Sequence, residues 1–330
     1  MYVVAAGARS SVGESLRETR LSLAAGIRRF RRTPQPIGPF AALTYAPALE
    51  VDVEPAERAR LLLDASLNDL WGGRAHPSKL GIVVLVDRLG PNVAPDSSSE
   101  RLAAKVMWDD VERLDSVEAA VGTRFDTAVE MLVLPADASA AVNGLLLARD
   151  WLATGAVEVC LFGGLSVGCD FASMEWRANH QLLHRSGGDE GLIPGEAAAF
   201  VELRARGSGI HVEHMMYSQS TEPSGVDALT DAMNHVLGNL PGAPSAVWLD
   251  ANGLVGRKRE WALASARSLG LRKQTPLVRE PLRGLGDVGP ATLPMMLGLA
   301  FDGPRDKGPI LGVLAHGFSF GRGCVAWEST

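Results

Sequence analysis

Apolar positions recur at helical spacing from 55 to 71, where Ala56, Ala59, Leu61, Leu62, Leu63, Ala65, Leu67 and Leu70 mark one long helix. Leu80–Val86 is instead a nearly continuous run of branched apolar residues, which predicts a strand covered on both faces. The same reading applies to Met131–Leu134 and Val157–Phe162, which bracket a helix predicted over 138–154. Upstream, Tyr2–Ala6 reads as a strand, Gly7–Gly13 as a small-residue loop, and Glu14–Gly26 as a helix. Asp87–Asp126 is polar and is expected to form a lid or an edge excursion, and Gly163-Gly164 to form a sharp turn. The chain then reads as loop-rich up to a strand at Ala197–Leu203.

The second half repeats this grammar. Strands are expected at Ile210–Met216, Ala246–Leu249, Ile310–Leu314 and Cys324–Trp327, with helices at Val226–Leu237, Lys258–Leu269 and Thr292–Phe301. Strand–helix alternation in two comparable halves, 1–205 and 206–330, implies α/β layers built on an internal pseudo-repeat.

Composition narrows the classes. With 330 residues, 46% apolar and 21% charged, the chain can bury a large core and has no signature of extended disorder. A net charge of −6 provides no basic field for nucleic acid or an anionic membrane surface. The opening residues contain neither a basic leader nor a long apolar run, and the three cysteines have no metal-binding spacing, so cytoplasmic residence is expected. Gly26–Arg32 carries four arginines and reads as a charged helix end meeting the turn-rich Thr33–Pro39. Neither a cofactor nor a metal is implied.

Four segments in order resemble the β-ketoacyl synthases of the thiolase superfamily. Gly7–Gly13 with the helix end Ala24-Ala25-Gly26-Ile27 is similar to the family's opening strand, loop and helix. Ala140–Gly155, Val157–Phe162 and Gly163-Gly164 resemble the nucleophile helix and the strand after it. Gly191–Ala199 resembles the family's Gly-Phe-Val-Met-Gly-Glu-Gly-Ala-Gly segment, and Phe318–Gly323 its Phe-Gly-Phe-Gly-Gly loop. The resemblance implies a thiolase-like fold of two βαβαβ-type halves in five layers, α-β-α-β-α. It also implies a dimer paired through the strand preceding the nucleophile helix.

Condensation in that family needs a cysteine thiolate at a helix N-terminus and two histidines. Aligned residue by residue, the nucleophile position falls on Ala138, the first histidine on Asn252, the second on Leu285, and a nearby lysine on Glu280. The resemblance therefore implies a catalytically inactive relative that binds or assembles. A shift of one residue would bring in Ser139, with Asp137 or His316 as base, in an acyltransferase or hydrolase; otherwise Ser139 caps the helix and His316 is a loop histidine. Asp287, Phe318 and Phe320 complete the pocket-lining candidates with Ser139 and Asn252. Cys169 reads as a packed small residue, and His211 and His214 as solvated or capping groups that converge on no metal.

A second resemblance concerns Trp248–Gly253, Arg257–Trp261 and Gly286–Thr292, which look like segments of degenerate thiolase-like proteins encoded beside type VI secretion effectors. The partners implied are a second copy of the chain, another protein such as an effector or, as in chain-length factors, an active ketosynthase, and an acyl-thioester or acyl carrier protein.

Overall fold

The computed structural model describes residues 1–34, 36–37, 42–51, 53–74, 77–87, 100–126, 128–180, 182–184, 191–220, 225–250, 253–270, 275–305, 307–315 and 321–330, with 100–109 described by backbone alone. In chain order the elements are β1 (Tyr2–Ser10), α1 (Leu16–Ala24), β2 (Arg31–Arg32), β3 (Thr44–Tyr45), α2 (Pro55–Trp71), β4 (Leu80–Asp87), α3 (Glu100–Arg124), β5 (Glu130–Ala136), α4 (Ala141–Thr154) and β6 (Val159–Ser166). They continue as α5 (Phe171–Asn179), β7 (Ala197–Arg204), β8 (Ile210–Gln219), α6 (Val226–Asn239), β9 (Ala246–Leu249), α7 (Val255–Ser268), β10 (Leu277–Arg279), α8 (Thr292–Asp302), β11 (Ile310–Ala315) and β12 (Gly321–Ser329).

Ten strands form one continuous ladder in the order β10-β9-β11-β12-β8-β1-β7-β6-β4-β5. From β1 outward through β7, β6, β4 and β5 the pairings run antiparallel, antiparallel, parallel, parallel. From β8 outward through β12, β11, β9 and β10 the same sequence of pairings recurs. The two five-stranded halves are thus topological copies. They join along a short seam, where Tyr2 pairs with His211 and Val3 with Ile210.

The layers follow from where the apolar stripes point. One outer layer is α2 and α3, whose Leu62, Leu63, Leu67, Val117, Val121 and Phe125 cover the outer face of β4 and β6. The other is α6 and α7, packed through Met233, Val236, Leu237 and Ala264 onto Val247, Leu311 and Val313. Between the sheets lie α4 and α8, whose residues share one cluster with strands of both halves. Every residue from Thr292 to Ala300 is buried, as expected of a helix apolar on all sides. Five layers result.

Local signals explain the helix ends. Pro55 opens α2 at a position that needs no amide hydrogen, and Gly72 closes it in the left-handed region at φ 51°. Gly155 closes α4 in the same way at φ 72°.

Five expectations need correction. Gly7–Ser10, read as part of a loop, continue β1 in register with β7. The segment read as a polar lid at 87–126 contains the 25-residue helix α3, with 88–99 lying outside the described residues. Its apolar Val117, Val121 and Phe125 recur at helical spacing, diluted by charged residues on the solvent side. Gly163-Gly164 is no turn: both residues lie inside β6, where a Cβ on Gly163 would meet the Phe200 ring at 2.1 Å and one on Gly164 the Pro290 carbonyl oxygen at 2.3 Å. The region expected to be loop before β7 contains α5, capped by Asp170, whose carboxylate accepts from Ser173 N at 2.9 Å. Finally, β5 is not covered along both faces: it is the border of the sheet, and Met131 and Leu134, which point to opposite faces, are exposed.

Candidate functional site

The turn before α4, the loops before β7 and α8, and the start of β12 carry the described residues singled out by their resemblance. Strand β5 ends at Ala136, and the chain turns through Asp137, Ala138, Ser139 and Ala140 into α4. The Asp137 carboxylate takes the Ala140 amide at 2.8 Å and the Ser139 hydroxyl at 2.6 Å through the same oxygen. Asp137 is therefore the group satisfying a free amide at this helix start, the part expected of Ser139, and its negative charge sits favourably at the positive end of the helix dipole. An Asp just ahead of an apolar helical run is the sequence signal that identifies it. The Ala138 methyl and the Ser139 side chain are both buried.

Strand β12 closes over this turn. A Cβ on Gly321 would lie 2.5 Å from Ser139 Oγ and 2.6 Å from Tyr217 Oη, and one on Gly323 would lie 2.5 Å from a Val142 methyl. The glycines thus let the strand lie directly on the mouth of α4. Tyr217 comes from β8, and burial, with the Asp137 charge adding to it, pushes its pKa up against the pull of Arg322. Arg322 itself is buried and grips Glu260 of α7 with two bonds, Nε to Oε2 at 3.0 Å and Nη2 to Oε1 at 2.8 Å.

A two-way bridge joins the loop before β7 to the loop before α8. Gly195 N donates to Asp287 O at 2.9 Å, and Asp287 N to Ile193 O at 2.7 Å. Contact is so close that a Cβ on Gly195 would lie 2.1 Å from Leu285 O, and Gly286 turns at φ 79° to permit it. Leu285 is wholly buried. The Asp287 side chain accepts from Gly289 N at 3.2 Å and so shapes its own loop. Ser166, at the end of β6, donates toward both Asp87 Oδ2 at 3.1 Å and Gly195 O at 3.2 Å.

Glu196 anchors the same loop from behind. Its carboxylate receives Arg58 Nε at 2.5 Å and Nη2 at 2.9 Å, together with Ala48 N at 2.9 Å. Cys169 packs beside this pair, and its burial holds the thiol far above the usual range, as suits a small core residue rather than a nucleophile.

Asn252, His316, Phe318 and Phe320 lie outside the described residues. The frame around Asn252 is described, however. Both oxygens of Asp250 accept from Arg257 Nη2 at 2.8 Å, and Oδ2 also accepts Ala315 N at 2.6 Å. Gly253 returns the chain at φ 92° against the Gly191 carbonyl. The capping part of Asp137, Tyr217 and the pairs Arg58–Glu196, Asp250–Arg257 and Glu260–Arg322 were not picked out from sequence, since the paired charges are of ordinary appearance and two of the three pairs join residues far apart along the chain.

The two histidines of β8 part company. His211 and His214 do not meet each other, as their spacing implied, but His211 meets Glu213 and Glu328, and one donor atom from each of the three lies within 4.8 Å of the others. His211 thus has two carboxylate neighbours that its spacing from His214 did not suggest. Glu328 sits on β12 directly opposite His211, a neighbour that strand spacing alone cannot reveal.

No protein-family model matches this sequence, and no curated protein matches it. Similar solved structures do exist. The chain superposes on the ishigamide ketosynthase/chain length factor with TM-score 0.73 and 15% identity, covering 99% of this chain and 98% of that chain. For the ketosynthase ApeO in complex with its chain length factor ApeC, from Xenorhabdus doucetiae, TM-score is 0.78 at 13% identity, covering 100% and 98%. For the oxazolomycin ketosynthase domain OzmH KS7 of Streptomyces albus JA3453 it is 0.72 at 14% identity, covering 99% and 73%. Among the described residues, no helix is long and apolar enough to cross a membrane. The duplicated sheet, the buried central helices and these superpositions together give the chain a thiolase-like, ketosynthase-type fold.

Proposed function

We propose that this chain is a non-condensing member of its fold that works by pairing with another protein. The observation that supports this most directly is the mouth of α4. A methyl, Ala138, stands where the resemblance puts the nucleophile, and the Asp137 carboxylate occupies the end of the helix that would otherwise stabilise a thiolate. Leu285 at the second histidine position cannot hold a thioester carbonyl or a proton, and loss of such groups costs several orders of magnitude in rate. The pairing surface in this reading is β5, a border strand whose outer edge has no partner strand among the described residues, with exposed Met131 and Leu134.

Two clients fit, each favoured by a different observation. The ketosynthase and chain length factor complexes among similar structures favour a chain-length-factor-like heterodimer with an active ketosynthase. The segments Trp248–Gly253, Arg257–Trp261 and Gly286–Thr292 favour a homodimer that loads or stabilises a type VI secretion effector in the cytoplasm. Intact-mass measurement after exposure to acyl-thioesters or loaded acyl carrier protein tests the shared claim. The expected result is no adduct, and an adduct that Ser139→Ala abolishes reverses the reading toward a serine acyltransferase. Sedimentation of the chain alone, then with co-expressed candidate partners, separates homodimer from heterodimer.

A further inference from the structure

Tyr2, His211, Glu213 and Glu328 meet at the seam between the two halves. His211 faces Tyr2 across β1–β8 and Glu328 across β8–β12. The Tyr2 ring lies flat on the imidazole, with centroids 4.5 Å apart and planes 23° from parallel, which fixes the orientation of the ring. Two residues on, Glu213 returns to the same face of β8. A register shift between Ala326 and Trp327 leaves it without an opposite residue in β12, so its side chain is free to lean toward the other two.

His211 Nδ1 is 3.1 Å from Glu213 Oε1, and His214 Nε2 approaches Glu213 Oε2 from the other side at 3.9 Å. The side chains of His211 and Glu213 are 27% and 23% exposed, open enough for an ion to enter yet held by their strands. Among the described residues, no Lys or Arg side chain forms an ion pair with Glu213 or Glu328.

We propose that His211, Glu213 and Glu328 bind one divalent transition-metal ion of the zinc type, with water completing the coordination. One imidazole and two carboxylates form a donor set suited to such an ion, with bonds of about 2.0–2.2 Å. Donors bound to one tetrahedral ion stand about 3.3 Å apart, so the present set tightens by small rotations of two glutamate side chains. In the bound state one ring nitrogen of His211 is the metal ligand, in the place where Nδ1 now faces Glu213 Oε1. The ion ties β8 to β12 beside the residue pair that joins the halves, so its role is that of a structural staple rather than a reaction centre.

The test uses the full chain with any affinity tag removed and metals stripped by chelator. Titration with zinc by calorimetry and with cobalt by visible absorbance is expected to show one equivalent bound, a ring-nitrogen and oxygen ligand spectrum, and a zinc-dependent rise in melting temperature. Glu328→Gln and His211→Gln should each weaken binding by roughly tenfold or more and erase most of that rise, while circular dichroism of the metal-free variants stays unchanged. Failure to bind a stoichiometric ion, or binding that survives both substitutions, overturns the assignment. Should His211→Gln fail to fold, Glu328→Gln alone decides, because Glu328 lies near the end of the last strand.

Discussion

A thiol placed at position 138 would find itself in the wrong electrostatic surroundings. The neighbouring Asp137 carboxylate disfavours a second negative charge, and the site is buried, so both influences raise a thiol pKa rather than lower it. Ala138→Cys is accordingly expected to acquire no condensing activity, and iodoacetamide should label that cysteine no faster than a model thiol at neutral pH. The native cysteines carry a related signature. Burial pushes Cys160 up to about 12 from an ordinary 9.0, and raises Cys169 and Cys324 as well. A thiol whose folded pKa is raised contributes stability that is complete below the unfolded value and is lost as pH climbs toward the folded one. The unfolding midpoint should thus fall above about pH 9, each thiol removing about 1.4 kcal/mol per pH unit, and Cys324→Ala should flatten that slope by about a third. Gly164→Ala is expected to cost about 1–3 kcal/mol or more in urea titrations, since its methyl would run into the Pro290 carbonyl and displace the loop that carries Leu285. Sequence made Ala138 and Leu285 visible because a resemblance supplied positions to compare. It left Asp137 in the role of an incidental base, because the cap was sought in Ser139 and the Asp ahead of the apolar run was not read as the capping signal.

Between elements, one buried tie near the site is Glu260 of α7 with Arg322 of β12, whose side chains are 11% and 3% exposed. Removing one partner strands the other charge in the interior, so Glu260→Gln should destabilise by about 3–5 kcal/mol, read from urea or thermal unfolding. Elements whose apolar pattern is unbroken were legible from sequence: α2 spans the expected 55–71, and β9 the expected Ala246–Leu249. The failures have physical reasons. Helix α3 was masked because its solvent face is densely charged, which lowers the mean hydropathy of a segment with a good buried stripe. Border strand β5 was misread because an apolar run reports that a strand has sticky side chains, not which of them lacks a neighbour. The glycines of β6 looked like a turn because glycine marks close approach as well as reversal, and here they admit Phe200 and the Pro290 backbone.

At the level of the molecule, the two halves share one pairing pattern without recognisable identity, which is why strand–helix grammar could suggest the repeat while residue comparison could not. Lysine substitution at Met131 and Leu134 belongs to this scale. It should turn a sedimenting dimer into a monomer while leaving the melting curve nearly unchanged, because both side chains already face solvent. A loss of folding together with the dimer would count against β5 as the joining surface. Duplication has a further effect. A ladder made of two equivalent units has two equivalent ends, and a molecule sticky at both ends would add copies indefinitely into a fibre. Here one terminus of the ladder, β5, is seven residues long, whereas its counterpart β10 has shrunk to three. So short a stub offers too few amides and carbonyls to recruit a neighbour, and growth of an assembly joined through β5, as proposed, would stop after one addition.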